Sequence, residues 1–155
     1  TASGMDFSLA CRNAGSAPRP IQLALHPYWA VDAPTARVLG LDGASYLDKT
    51  DGREKRFAGE LRFGAETDFV FAGVQELSLV DATRTVHLTL TGADHAVVWN
   101  PGPVECRKAP SLEDGDWERF ACLEPALLGA DRGGVVLAPG DEARIGMRVR
   151  VTAAW

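Results

Sequence analysis

The feature that most constrains the fold of this chain is a period of two. In Ala143-Arg144-Ile145-Gly146-Met147-Arg148-Val149-Arg150-Val151, apolar residues alternate with arginines and glycine. Successive side chains of a strand point to opposite faces, so this pattern predicts a half-buried antiparallel strand with a wet outer face. Thr85–Thr91 alternates in the same way, as do Met5–Cys11, Ile21–Leu25 and Glu76–Val80. Turn chemistry separates these runs: Asn13-Ala14-Gly15, Asp42-Gly43, Asp51-Gly52, Gly92-Ala93-Asp94 and Pro139-Gly140-Asp141. No long helical period competes, and Glu105–Glu118, with its proline and glycine, is expected to be a loop. Many short strands between frequent turns predict an all-β antiparallel β-sandwich, and 155 residues are most simply one domain, residues 1–155.

Composition narrows the function. The net charge of −5 supplies no basic field for nucleic acid or an anionic membrane. No apolar run approaches the roughly 20 residues of a transmembrane helix. Thr1-Ala2-Ser3-Gly4 does not begin a charged-then-apolar leader. Cys11, Cys106 and Cys122 are an odd count without metal-ligand spacing, so they are expected to be reduced thiols in a cytoplasmic protein. Cys11 and Cys122 lie within apolar strands and are expected in the core.

Two lone ionisable residues interrupt apolar stretches, and each is followed by proline. They are His26 in Leu23-Ala24-Leu25-His26-Pro27-Tyr28-Trp29 and Glu124 in Phe120-Ala121-Cys122-Leu123-Glu124-Pro125-Ala126. Strand parity puts Ile21, Leu23 and Leu25 on one face and Gln22, Ala24 and His26 on the other, with Tyr28 continuing the second. His26 therefore belongs to a mixed polar and aromatic face that suits a ligand groove. Glu124 shares its face with Phe120 and Cys122, where a carboxyl group is expected to have a raised pKa. A histidine and a raised carboxyl are a workable acid–base pair near neutrality. His87 is expected to be solvated on an outer face and His95 to lie in a turn-rich segment. Arg53-Glu54-Lys55-Arg56 is expected to be a solvated loop.

These residues and their surroundings resemble the aldose 1-epimerase superfamily, with its galactose-mutarotase-like fold, and most closely its hexose-6-phosphate 1-epimerase branch. The matching segments, in order, are Leu25–Trp29, Val38–Gly43 with Tyr46–Lys49, Glu66–Phe71, Ala96–Pro101, Phe120–Ala126 and the closing Val135–Gly140. The resemblance implies interconversion of sugar anomers by ring opening. A glutamate takes the proton of the anomeric hydroxyl, and a histidine protonates the ring oxygen. Those roles fall on Glu124 and His26. The position of Asp68 implies hydrogen bonds to sugar hydroxyls, and Tyr28, Trp29 and Trp99 are candidate stacking surface. No metal or organic cofactor is implied, and the expected partner is a small sugar or sugar phosphate, which Arg53-Glu54-Lys55-Arg56 would meet in the lesser reading of that segment.

Two departures accompany the resemblance. The chain matches only the later part of the family's domain. The earlier half supplies several strands and, in the phosphate-specific branch, the basic residues that grip phosphate. Exposed edges, and self-association through them, are therefore expected. Gly102 stands where the family commonly has an aromatic residue after Trp-Asn-Pro. A mutarotase for unphosphorylated aldoses and a non-catalytic carbohydrate-binding fragment are the alternatives.

Overall fold

The computed structural model describes residues 4–153, so Thr1–Ser3, where no leader is expected, lie outside the described residues. The strands along the chain are β1 (Gly4–Arg12), β2 (Arg19–Ile21), β3 (Leu23–Ala24), β4 (Tyr28–Ala30), β5 (Arg37–Leu39), β6 (Ser45–Asp48), β7 (Arg53–Arg56), β8 (Leu61–Arg62), β9 (Thr67–Ala72), β10 (Glu76–Val80), β11 (Arg84–Thr91), β12 (His95–Asn100), β13 (Phe120–Leu127), β14 (Val135–Leu137) and β15 (Glu142–Ala153). The first sheet runs β1-β15-β11-β10-β5-β8, and the second runs β3-β13-β12-β9-β6-β7 with β4 also on β13. All these pairings are antiparallel. The sandwich expected from the two-residue period is the architecture found.

The alternation predicts the layering. Leu88, Leu90, Ile145, Met147 and Val149 of the first sheet share one buried cluster with Phe71, Ala96, Val98, Ala121 and Leu123 of the second. Each fully buried side chain the size of leucine or phenylalanine contributes roughly 1.5–3 kcal/mol of hydrophobic free energy. The outer face of the first sheet is wet. His87 is exposed there and bonds Ser78 and Thr152.

Four expectations need correction. Glu105–Glu118 is partly helical: α1 spans Gly102–Cys106, and a 3-10 turn spans Asp116–Arg119. Arg53–Arg56 is the edge strand β7, not a loop, because Lys55 is held by Asp48 and Asp51 at 2.6 and 2.7 Å. His95 opens β12 and is buried, with Nδ1 2.7 Å from Asp94 Oδ1. The run Ile21–Leu25 breaks at Gln22 into β2, which pairs with β14, and β3, which pairs with β13.

The expected exposed edge is present on β1, where Met5 and Phe7 are exposed. The departure at Gly102 also has a local cause. Gly102 has φ +60°, and a Cβ there would sit 2.6 Å from the Ala65 carbonyl carbon and the Glu66 nitrogen. The chain crosses here too closely for any side chain.

Asn100, fully buried just before this crossing, donates Nδ2–H to the carbonyls of Trp117 at 2.9 Å and Phe120 at 2.7 Å, and its Oδ1 accepts from Gly102 N–H at 2.9 Å. It thus ties the end of β12 to the start of β13. Removing it leaves buried carbonyls and an N–H without partners, each costing about 1–3 kcal/mol. Asn100→Ala is expected to lower stability by roughly 3 kcal/mol or more in urea denaturation. A loss below about 1 kcal/mol would show that the tie is unimportant.

Candidate active site

The site lies on the outer face of the second sheet, and register builds it. Leu47 pairs with Val70, Val70 with Val97, and Val97 with Glu124. Further along the same strands, Asp68 pairs with Trp99, Trp99 with Cys122, and Cys122 with Tyr28. Directly opposed residues share a face, so these side chains form two adjacent rows across the strands. Their sequence neighbours Phe71, Ala96, Val98 and Leu123 point the other way, into the core.

His26 reaches the same face from the segment between β3 and β4, which Leu25 N–H fixes by donating to the Pro125 carbonyl at 3.2 Å. Its ring stacks on Tyr28, with centroids 5.0 Å apart and planes 13° apart, and meets the edge of Trp99 at 5.7 Å. Its Nδ1 lies 3.2 Å from Glu124 Oε1. The two residues that stand far apart in the sequence are therefore in contact. Both line a cavity of about 530 Å³ with Gln22, Lys49, Asp68, Trp99 and Arg132 among its other walls.

Burial dominates the electrostatics of the pair. Glu124 is buried, its side chain 8% exposed, whereas that of His26 is 49% exposed. Desolvation pushes the Glu124 carboxyl up to about 7, with the Asp68 carboxylate adding to the rise and Lys49 opposing it. Desolvation pulls the His26 imidazole below its ordinary value, while Asp68 draws it upward. A 3.2 Å imidazolium–carboxylate contact on its own would move both groups the opposite way. Here the cost of carrying two charges away from water outweighs that attraction, and the pair favours its uncharged form. It titrates as a unit, with one proton shared between two groups over the middle of its range.

The other sequence candidates divide. Asp68 lines the cavity, and its carboxylate accepts from Lys49 Nζ at 2.8 Å. Tyr28 is exposed and stacked on His26, and Trp99 forms a cavity wall. Trp29 instead packs against the core, with its indole N–H directed to the Leu123 carbonyl. Cys11 packs at the core edge, but Cys122, although buried, is on the site face rather than between the sheets. Its thiol, His26 and Glu124 offer ligand atoms all within 4.8 Å of one another, so a thiophilic divalent ion fits the donor set. Burial pushes that thiol pKa strongly upward, which opposes the thiolate such an ion requires. Sequence reasoning missed Lys49, Arg132 and Gln22. Only the parity of Gln22 with His26 carried a signal for one of them.

A family model described as "Aldose 1-epimerase" matches residues 2–150. The chain belongs to the aldose 1-epimerase family. A protein of Cenchrus ciliaris named "Putative glucose-6-phosphate 1-epimerase" is 31% identical over 150 residues, covering 90% of this chain and 44% of that protein. A crystal structure described as "a putative mutarotase (YeaD)" from Salmonella typhimurium superposes with a TM-score of 0.82 at 23% identity, covering 96% of this chain and 50% of that one. A galactose mutarotase-like protein from Lactobacillus casei gives a TM-score of 0.68 at 14% identity, over 95% of this chain and 58% of that one. These two structures share the fold of this epimerase-family chain. The chain spans about half the length of the relatives it matches.

The raised carboxyl pKa carries a stability signature. Between the ordinary value of 4.5 and about 7, the folded chain holds a proton on Glu124 that the unfolded chain releases. Stability from this group is therefore full below pH 4.5 and is lost as pH rises through about 7. At about 1.4 kcal/mol for each pH unit between those two values, the loss is roughly 3 kcal/mol at most. Glu124→Gln removes the charge, so its stability relative to wild type is expected to rise by roughly 1–3 kcal/mol from about pH 5 to about pH 8. Thermal or urea unfolding at the two pH values checks this, and a difference independent of pH contradicts the raised value.

Proposed function

We propose that this chain carries the proton-transfer centre for interconverting the α and β anomers of an aldohexose 6-phosphate. The observation that carries the reading is the 3.2 Å contact of His26 with Glu124 inside a sugar-sized cavity, with one group raised and the other lowered by burial. Family membership supports the reaction class, and the name of the Cenchrus ciliaris relative supports the phosphorylated substrate.

In this reading Glu124 is the base and His26 the acid. Glu124 removes the proton of the anomeric hydroxyl as His26 donates one to the ring oxygen. The C1–O5 bond breaks, and the electron pair left on O1 forms the aldehyde carbonyl. Rotation about C1–C2 presents the other carbonyl face. The C5 hydroxyl then attacks C1, returning its proton to His26, while O1 regains a proton from Glu124. Each step balances, and both residues finish as they began. The reaction needs one proton on the pair, placed on the imidazole. Asp68 serves as a hydroxyl acceptor, and Trp99 and Tyr28 supply apolar and stacking surface.

The protonation count sets the pH dependence. A second proton on the pair removes the base, and loss of the last proton removes the acid. Anomer exchange of glucose 6-phosphate, followed by NMR exchange spectroscopy, is expected to be bell-shaped in pH and to decline above about pH 7, where the last proton leaves. His26→Asn and Glu124→Gln are each expected to lower the exchange rate by ~10²–10⁴-fold, the usual worth of general acid–base catalysis. Wild-type rates in both variants would refute the mechanism.

A further inference from the structure

Cys122 is buried on the site face with its thiol unbridged, and the proton-transfer scheme gives it no part. Strand geometry puts it beside the acid–base pair. Cys122 and Glu124 are two positions apart on β13, so their side chains leave the same face as neighbours. His26 joins them from the segment between β3 and β4. One donor atom from each of the three residues lies within 4.8 Å of the other two. Among the described residues, no other trio of histidine, cysteine, aspartate or glutamate side chains comes together in this way.

These donors suit one class of ion. Zinc takes sulfur at about 2.3 Å and imidazole nitrogen or carboxylate oxygen at about 2.0–2.2 Å, which in a tetrahedral site sets two donors about 3.4–3.6 Å apart. His26 Nδ1 and Glu124 Oε1 already stand 3.2 Å apart. Bringing the thiol to the same spacing takes a shift of roughly 1 Å, and His26, half exposed on an irregular segment, has room to accommodate it. Charge matches as well. A thiolate, a carboxylate and a neutral imidazole together carry two negative charges against the ion's two positive ones. The loaded site is therefore neutral, which offsets the burial cost that keeps the free thiol protonated. The thiol proton and the proton of the acid–base pair pass to water as the metal–ligand bonds form. Asp68 adds no net charge beside them, because Lys49 Nζ bonds it at 2.8 Å. Thiolate and imidazole together select a zinc-type ion over magnesium or calcium, which prefer oxygen. Three protein ligands leave a fourth position for water.

We infer that His26, Cys122 and Glu124 form a binding site for a zinc-type divalent ion, and that the bound ion blocks anomer exchange by engaging the acid–base pair. The binding half stands on the donor geometry. The blocking half rests on the proposed reaction.

Cobalt(II) titration of the reduced full chain tests the binding half, in wild type, Cys122→Ser and His26→Asn. Wild type is expected to develop a near-ultraviolet thiolate-to-cobalt charge-transfer band, with zinc displacing the cobalt and magnesium leaving it in place. Cys122→Ser is expected to lose the band. Its zinc affinity by calorimetry is expected to fall at least about 10–100-fold, no less than the loss of a residue that only orients a ligand. No band in wild type, or a band that survives Cys122→Ser through Cys11 or Cys106, overturns the site. His26 is half exposed, so His26→Asn keeps the test decisive if the buried serine disturbs folding. It is expected to need about 10–100-fold more cobalt for the same band, and an unchanged affinity overturns the site. Anomer exchange of glucose 6-phosphate in wild type, with and without zinc, tests the blocking half. The rate is expected to fall ~10²–10⁴-fold at saturation, as general acid–base catalysis is lost, and to recover with a chelator. An unchanged rate at saturating zinc overturns the blocking. A cobalt band in a chain that shows no exchange keeps the site and removes the proposed reaction, whereas exchange without a band does the reverse.

Discussion

The antiparallel register of β12 against β13 is the constraint on which the rest of the site depends. It sets Val97 opposite Glu124 and Trp99 opposite Cys122, while Val98 and Leu123 turn inward. Because the side-chain period of a strand is two, a slip of one residue would bury Glu124 between the sheets and expose Leu123. The core resists such a slip, since Ala96, Val98, Ala121 and Leu123 are all fully buried. Asn100 fixes the same register from the end, by tying Trp117, Phe120 and Gly102 together. The hydrophobic cluster and one buried amide thus place a carboxyl group to within a hydrogen bond of its partner.

That placement works against stability. A buried carboxyl near an imidazole, beside a second carboxylate at Asp68, is easier to keep uncharged than charged. The fold tolerates it because large apolar faces on both sheets supply the compensating free energy. The same desolvation that costs stability brings a carboxyl and an imidazole toward a common pH range, where one proton can be exchanged between them. The cavity also carries two cations, Lys49 bonded to Asp68 and Arg132 bonded to Glu54.

Several parts of this were legible in the residues. The alternation over Ala143–Val151 and Thr85–Thr91 marked β15 and β11, because one wet face and one dry face leave a two-residue trace. The parity of His26 with Gln22 placed both on the cavity side, even though the strand breaks between them. Other parts left no local trace. Parity already put Cys122 on the face of Glu124, but nothing in that apolar run shows that this face is the site rather than the core, where the thiol is expected. His95 sits between a turn and a strand, and its burial depends on the Asp94 carboxylate and on Ala72 and Ala126 across the ladder. Arg132 looks like one charged residue in a glycine-rich turn. Its relevance comes from Gln22 and Glu54, 110 and 78 positions away.

The sequence by itself determined the strand period, the turns between strands and the residue types able to exchange protons. Each of these is a local property of side-chain alternation or backbone preference. Only the tertiary structure decided that His26 and Glu124 touch, how far burial moves their proton affinities, and which cations share their cavity. Those are questions of distance and desolvation, and they are settled by strand pairing between segments far apart in the chain.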